Sequence, residues 1–230
     1  MDRKRPGAEV AVWHGMWRGL LSLRSANNRD LRVAGLNSPP NAQTVLVTGI
    51  HLEELEFGDA VADVLDADTI DILRIPHGVS QQCPDVDHQF HYETRQRELY
   101  LQLHQQVKRR YQLLIDLHSG LDENGPCADI YCQDPNILEC MNVYLHAQGL
   151  SNRVRVIRII GEQAAHASKP IVDGEARTSI PASIWTSARP IYVGVEIYLP
   201  STADLSKAKE LAKNLIEQIQ TCGAMMKFSA

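Results

Sequence analysis

The chain predicts an α/β fold, a three-layer αβα sandwich around a mixed, mostly parallel central sheet. Two observations carry that prediction. Short apolar runs rich in β-branched residues recur at 44–50, 69–75, 113–117, 154–160 and 191–199, each the length of a strand rather than of a helix. Between them lie stretches with apolar residues at helical spacing, at 54–65, 136–148 and 205–219, and a polar stretch marked by Leu99, Leu103 and Val107. Strands that alternate with helices and are apolar on both faces fit a sheet covered on both sides.

Taken in order, residues 1–42 read as an N-terminal extension ending in the proline-punctuated LNSPPNAQ, and 43–230 as one domain. TVLV opens the first strand, and the helix after it starts within TGIHLEEL. The run at 69–75 leads into a loop, PHGVSQQCPDVDHQF, before the polar helix of Leu99. IDL then ends at His118, Ser119 and Gly120. YVGVEIYLP supplies the last strand, and the final helix turns its lysines outward.

With 230 residues, 44% hydrophobic and 22% charged, the composition is that of an ordinary globular domain. A net charge of -5 argues against sequence-independent binding to nucleic acid or anionic membrane. The basic run Arg3, Lys4 and Arg5 reads as a solvated tail. Nothing resembles a cleaved leader or a span, so a cytoplasmic location is expected, with a homo-oligomer left open. The five cysteines, Cys83, Cys127, Cys132, Cys140 and Cys222, lack the dense spacing of a secreted framework and read as free thiols in a reducing compartment.

In open α/β sheets, ligands bind beyond the carboxyl ends of the strands, where His51 and His118 both stand. His51 and Glu54, two residues between them, sit at a strand-to-helix turn where an imidazole and a carboxylate can converge on one cation. His118 ends a separate strand. Two histidines and a carboxylate leave a tetrahedral zinc one open position, as a catalytic site requires. Asp116, two residues before His118, is placed to orient that histidine from behind. Glu196 is a charge inside an apolar strand, which is costly unless paired or facing a polar cleft. Either a buried ion pair or a general base beside the metal accounts for it.

These segments resemble one family. GIHLEEL is similar to the G-x-H-x-x-E-L metal motif of the succinylglutamate desuccinylase and aspartoacylase family, relatives of the zinc carboxypeptidases. IDLHSG resembles its third-ligand motif, and GVEI its G-[IV]-E-[VI] segment, all in the family's order between about residues 44 and 199. The resemblance implies a zinc-carboxypeptidase-like fold and a deacylase hydrolysing the amide of an N-acyl amino acid or similar small substrate. It implies one Zn2+ per chain held by His51, Glu54 and His118, with Glu196 as general base. The family's D-L-N-R-x-F segment matches Asp85–Phe90, where Asp87 and His88 replace the asparagine and arginine that grip a substrate carboxylate. Asp87, His88 and the more distant Arg74 are the candidates for substrate contact. A carboxypeptidase-like enzyme clamping a short peptide's terminus with Arg95 or Arg97, and a non-catalytic binding module on the same fold, are the alternatives. His88 and His91 offer a second possible metal pair, and His77 a pocket wall.

Overall fold

A computed structural model describes residues 42–80, 86–123, 125–161, 173–200 and 205–226, with residues 86–91 described in backbone only. The elements are β1 (Thr44–Thr48), a 3-10 turn (Leu52–Glu54), α1 (Leu55–Ala62), β2 (Asp71–Arg74), α2 (Val86–Val107), β3 (Leu113–Leu121) and β4 (Cys127–Cys132). They continue with α3 (Pro135–Ala147), β5 (Val154–Ile159), β6 (Gly174–Ala176), α4 (Ala182–Trp185), β7 (Ile191–Leu199) and α5 (Leu205–Met225).

Among the described residues, seven strands form one sheet in the order β2-β1-β3-β7-β4-β5-β6. All neighbours are parallel except β7 and β4, which run antiparallel. The sheet is therefore two parallel blocks pointing in opposite directions. The carboxyl ends of β1, β3 and β7 meet the amino ends of β4 and β5 along one edge, a junction that proves decisive for the site.

Alternation along the strands builds two cores, one on each face. Leu46, Ile115, Leu117, Val193, Val195 and Ile130 pack under α1, α3 and α5. Val45, Val47, Leu114, Tyr192, Tyr131 and Ile157 pack under α2 and α4. Helix α3 starts where Asp134 accepts from the backbone N–H of Asn136 (2.8 Å) and Ile137 (3.3 Å), with Pro135 in its first turn. Two of the otherwise unpaired N–H groups are thus satisfied, and the proline needs no donor there.

Several boundaries differ from expectation. β3 runs through His118 instead of ending there, because β7 continues alongside it and keeps the ladder paired to Leu121 and Leu199. α2 already begins at Val86, inside the stretch expected to be loop. β4, β6 and α4 fall in segments whose short, mixed sequences carry no clear period. Residues 1–41 of the 1–42 extension lie outside the described residues, as do Cys83, Asp85 and His166.

The reading of all five cysteines as free thiols fails for one pair. Cys140 on α3 and Cys222 on α5 form a disulfide, 82 residues apart in sequence with Cα atoms 5.9 Å apart. The two helices lie side by side on one face of the sheet, a proximity that spacing along the chain does not reveal. Cys127 and Cys132 are buried and take no part in a disulfide, and burial pushes the Cys132 thiol up to about 12, an inert thiol. Among the described residues, no helix is long and apolar enough to cross a membrane.

Candidate metal centre

The site begins at the end of β1, where Gly49 turns the chain with φ of 81°. A Cβ there would meet the Ile75 carbonyl oxygen at 2.6 Å and Leu55 Cδ1 at 2.7 Å. Only glycine fits both the backbone and the space. The turn delivers His51 into a bridge with Val79, and the following 3-10 turn brings Glu54 beneath it. Glu54 occupies the N-cap position of α1 without capping it. Its carboxylate is spent on histidines instead.

Glu54 Oε1 lies 2.9 Å from His51 Nδ1, and its Oε2 lies 2.8 Å from His118 Nδ1. All three side chains are buried, and the imidazole centroids are 4.9 Å apart. Burial pushes the Glu54 carboxyl up, but the charges and hydrogen bonds of His118 and His51 outweigh it and hold it down at about 2. The candidate ligand atoms of the three residues lie within 4.8 Å of one another. Two imidazole nitrogens and one carboxylate are a donor set that zinc accepts, with a fourth position left over. Groups that share protons across 2.8–2.9 Å can equally share one divalent cation.

Each histidine is held from behind. His118 Nε2 is 3.1 Å from Asp116 Oδ2, which also accepts from the hydroxyls of Tyr100 (2.8 Å) and Tyr192 (2.9 Å). Burial raises the Asp116 carboxyl, yet His118 and the two tyrosines bring it below its ordinary range. Burial likewise lowers His118, and Asp116 with Glu54 lift it well above the usual imidazole value. Two carboxylates flanking one buried imidazole favour positive charge at this place. His51 Nε2 faces Tyr92 Oη at 3.2 Å and Gln96 Nε2 at 3.3 Å. With Nδ1 on a cation, Nε2 carries the ring hydrogen, so Tyr92 accepts it or the Gln96 amide turns its oxygen inward.

This backing makes a prediction for Asp116. Asp116→Asn keeps the shape but removes the acceptor charge that fixes the His118 tautomer, so zinc affinity should fall about 10–100-fold. Competition with a chromophoric chelator measures it; unchanged affinity would show that Asp116 does not support the ligand.

Glu196 stands beside His118 in the β3/β7 register and is half-buried. Burial is the main reason its carboxyl rises to about 7; His118 opposes the rise, while Glu54 and Asp129 add to it. The structure thus gathers His51, Glu54, His118, Asp116 and Glu196 on one edge of the sheet. Arg74 is elsewhere: its exposed guanidinium donates to Asp59 (2.9 Å) and Asp63 (3.4 Å) on the flank of α1. Asp87, His88 and His91 fall in the first turns of α2, and their side chains lie outside the described residues. His77 is exposed, and Glu53 bonds Ser80 at the surface.

The supporting residues went unread in the sequence. Tyr92, Gln96 and Tyr100 recur every four residues, one stripe of α2 facing the histidines. Tyr192, Glu196 and Tyr198 share one face of β7 by even spacing. Asp129 is a charge within a buried strand, the very signal that singled out Glu196, but β4 itself was not recognised.

No family model matches the chain, and no curated protein matches it. Among solved structures, it is similar to the catalytic domain of an endolysin targeting Clostridia difficile, at 16% identity and a TM-score of 0.44, over 81% of this chain and 98% of that one. It is also similar to murine aminoacylase 3, at 12% identity and a TM-score of 0.41, over 82% of this chain and 66% of that one. A third likeness is the CwlD amidase from Clostridioides difficile in complex with the GerS lipoprotein, at 7% identity and a TM-score of 0.38, over 79% and 94%. Such distant likenesses carry no conclusion about substrate or metal.

Proposed function

We propose that the protein is a zinc-dependent hydrolase that cleaves the amide bond of an N-acyl amino acid or a similar small substrate. The observation that supports this reading is the buried His51–Glu54–His118 set with Glu196 in register beside it. The short motifs resembling the desuccinylase and aspartoacylase family point the same way.

His51 and His118 would hold the ion through Nδ1, and Glu54 through its carboxylate. When bound, zinc supplies a Lewis acid that acidifies water and polarises a carbonyl. Glu196 takes one proton from the attacking water at a carboxylate oxygen and returns it to the nitrogen of the departing amine, so amide and water become a carboxylic acid and an amine. Burial lifts the Glu196 carboxyl above its ordinary range and a bound cation would draw it back down, so the group can both accept the proton and return it. Asp116 keeps the Nε2 hydrogen of His118 engaged, which leaves Nδ1 for the ion. Tyr92 and Gln96 do the same for His51.

The test is a panel of N-acyl amino acids and short peptides incubated with zinc-loaded protein, with released amine read by fluorescent derivatisation. Turnover of at least one N-acyl amino acid is expected, lost on chelation and restored by zinc. Release only from peptide carboxyl ends would favour the carboxypeptidase-like alternative. No amine from any member at full zinc occupancy would overturn the hydrolase reading in favour of a binding module.

A further inference from the structure

One residue of β3 is out of keeping with its strand. Gly120 is buried and paired with Tyr198 in an unbroken ladder that runs on to Leu121 and Leu199. Glycine weakens a strand interior, and its usual reasons there are a bulge or the close approach of another group. No bulge interrupts this ladder. Among the described residues, the glycines with positive φ are Gly49 and Gly149, so the backbone at Gly120 asks for no special freedom either. Space is the reason that remains.

That space is already taken. A Cβ on Gly120 would lie 3.1 Å from Glu196 Oε1, 3.0 Å from Tyr198 Cδ1 and 3.2 Å from Tyr198 Cε1. Glu196 is the cross-strand partner of His118, two residues earlier on the same face of β3. Its carboxyl therefore leans forward, past its own partner, to lie over the bare backbone of Gly120 at the carboxyl ends of β3 and β7. That is the end at which open α/β sheets bind ligands. The Tyr198 ring walls the same space and is fixed at its tip. Its hydroxyl donates to Asp129 Oδ2 at 3.1 Å, and Arg155 grips both oxygens of Asp129, with Nε donating to Oδ1 at 2.7 Å and Nη2 to Oδ2. A side chain at 120 would thus meet one neighbour that is anchored and one that is the far end of a flexible side chain. The carboxyl is the group that gives way.

We propose that Gly120 is a positioning residue for the hydrolytic reaction: the absence of a side chain there seats the Glu196 carboxyl beside His118 and the metal centre. The catalytic consequence rests on the hydrolase reading, but the packing does not. If Gly120 served only to be covered by the Tyr198 ring, as aromatic residues cover glycines in sheets, a methyl group there would cost stability and leave turnover untouched.

The test is Gly120→Ala in the zinc-loaded full chain, with Gly223→Ala as the control. A Cβ on Gly223 would be 3.3 Å from Leu113 Cδ2, a comparable squeeze in α5 on the opposite face of the sheet. For Gly120→Ala, kcat should fall about 10–100-fold with KM within about two-fold of the parent, because a displaced base is felt in the transition state and not in binding. Zinc content and melting temperature should stay near the parent's, and Gly223→Ala should keep the parent's kcat. An unchanged kcat in Gly120→Ala, a loss confined to KM, or equal losses in the two variants would overturn the proposal. Crystal structures of parent and Gly120→Ala give a reading that needs no turnover. The Glu196 carboxyl should lie over residue 120 in the parent and be displaced in the variant, with the Tyr198 ring in place. An unmoved Glu196 beside a shifted ring would sink the proposal whatever the kinetics. A displaced Glu196 in a protein that hydrolyses no amide would uphold the packing and overturn the hydrolase reading alone. Should Gly120→Ala fail to fold, the pair Gly120→Ala/Glu196→Asp decides. Shortening Glu196 by one methylene frees the contested space, so the pair should fold; a pair that still fails makes the Tyr198 ring the limit and overturns the proposal.

Discussion

Glu196→Gln should abolish turnover while leaving zinc in place. The substitution preserves volume and one hydrogen-bonding oxygen, and Glu196 is not among the three clustered ligand candidates, so folding and metal content should be those of the parent. What disappears is the capacity to take and return a proton, a loss of about 10²–10⁴-fold in kcat for general acid–base catalysis. The pH profile supplies a second check. Without a cation the carboxyl lies near 7, and a cation held beside it can only favour the charged form. The acid limb of kcat/KM should therefore fall at or below about pH 7, with activity rising as Glu196 loses its proton, and Glu196→Gln should lack that limb. Full activity in the variant would remove Glu196 as the base.

His118→Ala should eliminate stoichiometric zinc. Parent protein prepared without added ions or an affinity tag is expected to carry about one zinc per chain, the donor set being a closed group of three with one open position. Removing His118 takes away a ligand and leaves Glu54 and Asp116 buried without the imidazole both of them contact. Breaking a buried charge pair by deleting one partner costs about 3–5 kcal/mol, so the melting temperature should fall too. Native mass spectrometry reads the metal and calorimetry the stability. Absence of zinc from parent and variant alike, even after zinc is added back, would sink the metal-dependent reading.

The ligands themselves were legible because their signals are local. HxxE at a strand-to-helix turn, a histidine near a strand end and a charge inside an apolar strand each stand out within a few residues. The layered α/β architecture was legible for the same reason, since β-branched runs and helical stripes declare themselves over one element. The second parallel block was not. β4 is six residues, β6 three and α4 four, too short for periodicity to register against composition.

The sequence by itself determined the alternation of strands and helices and which residues have the chemistry to bind a cation and move a proton. Tertiary structure decided what surrounds them. Reversal of β4 against β7 puts Asp129 beside Glu196, and its parallel partner β5 adds Arg155. Helix α2 lays Tyr92, Gln96 and Tyr100 over both histidines, and α3 against α5 joins Cys140 to Cys222. All of these are contacts across tens of residues. They arise because burying both faces of one sheet forces distant segments together, and no pattern within a single segment records which neighbours that burial selects.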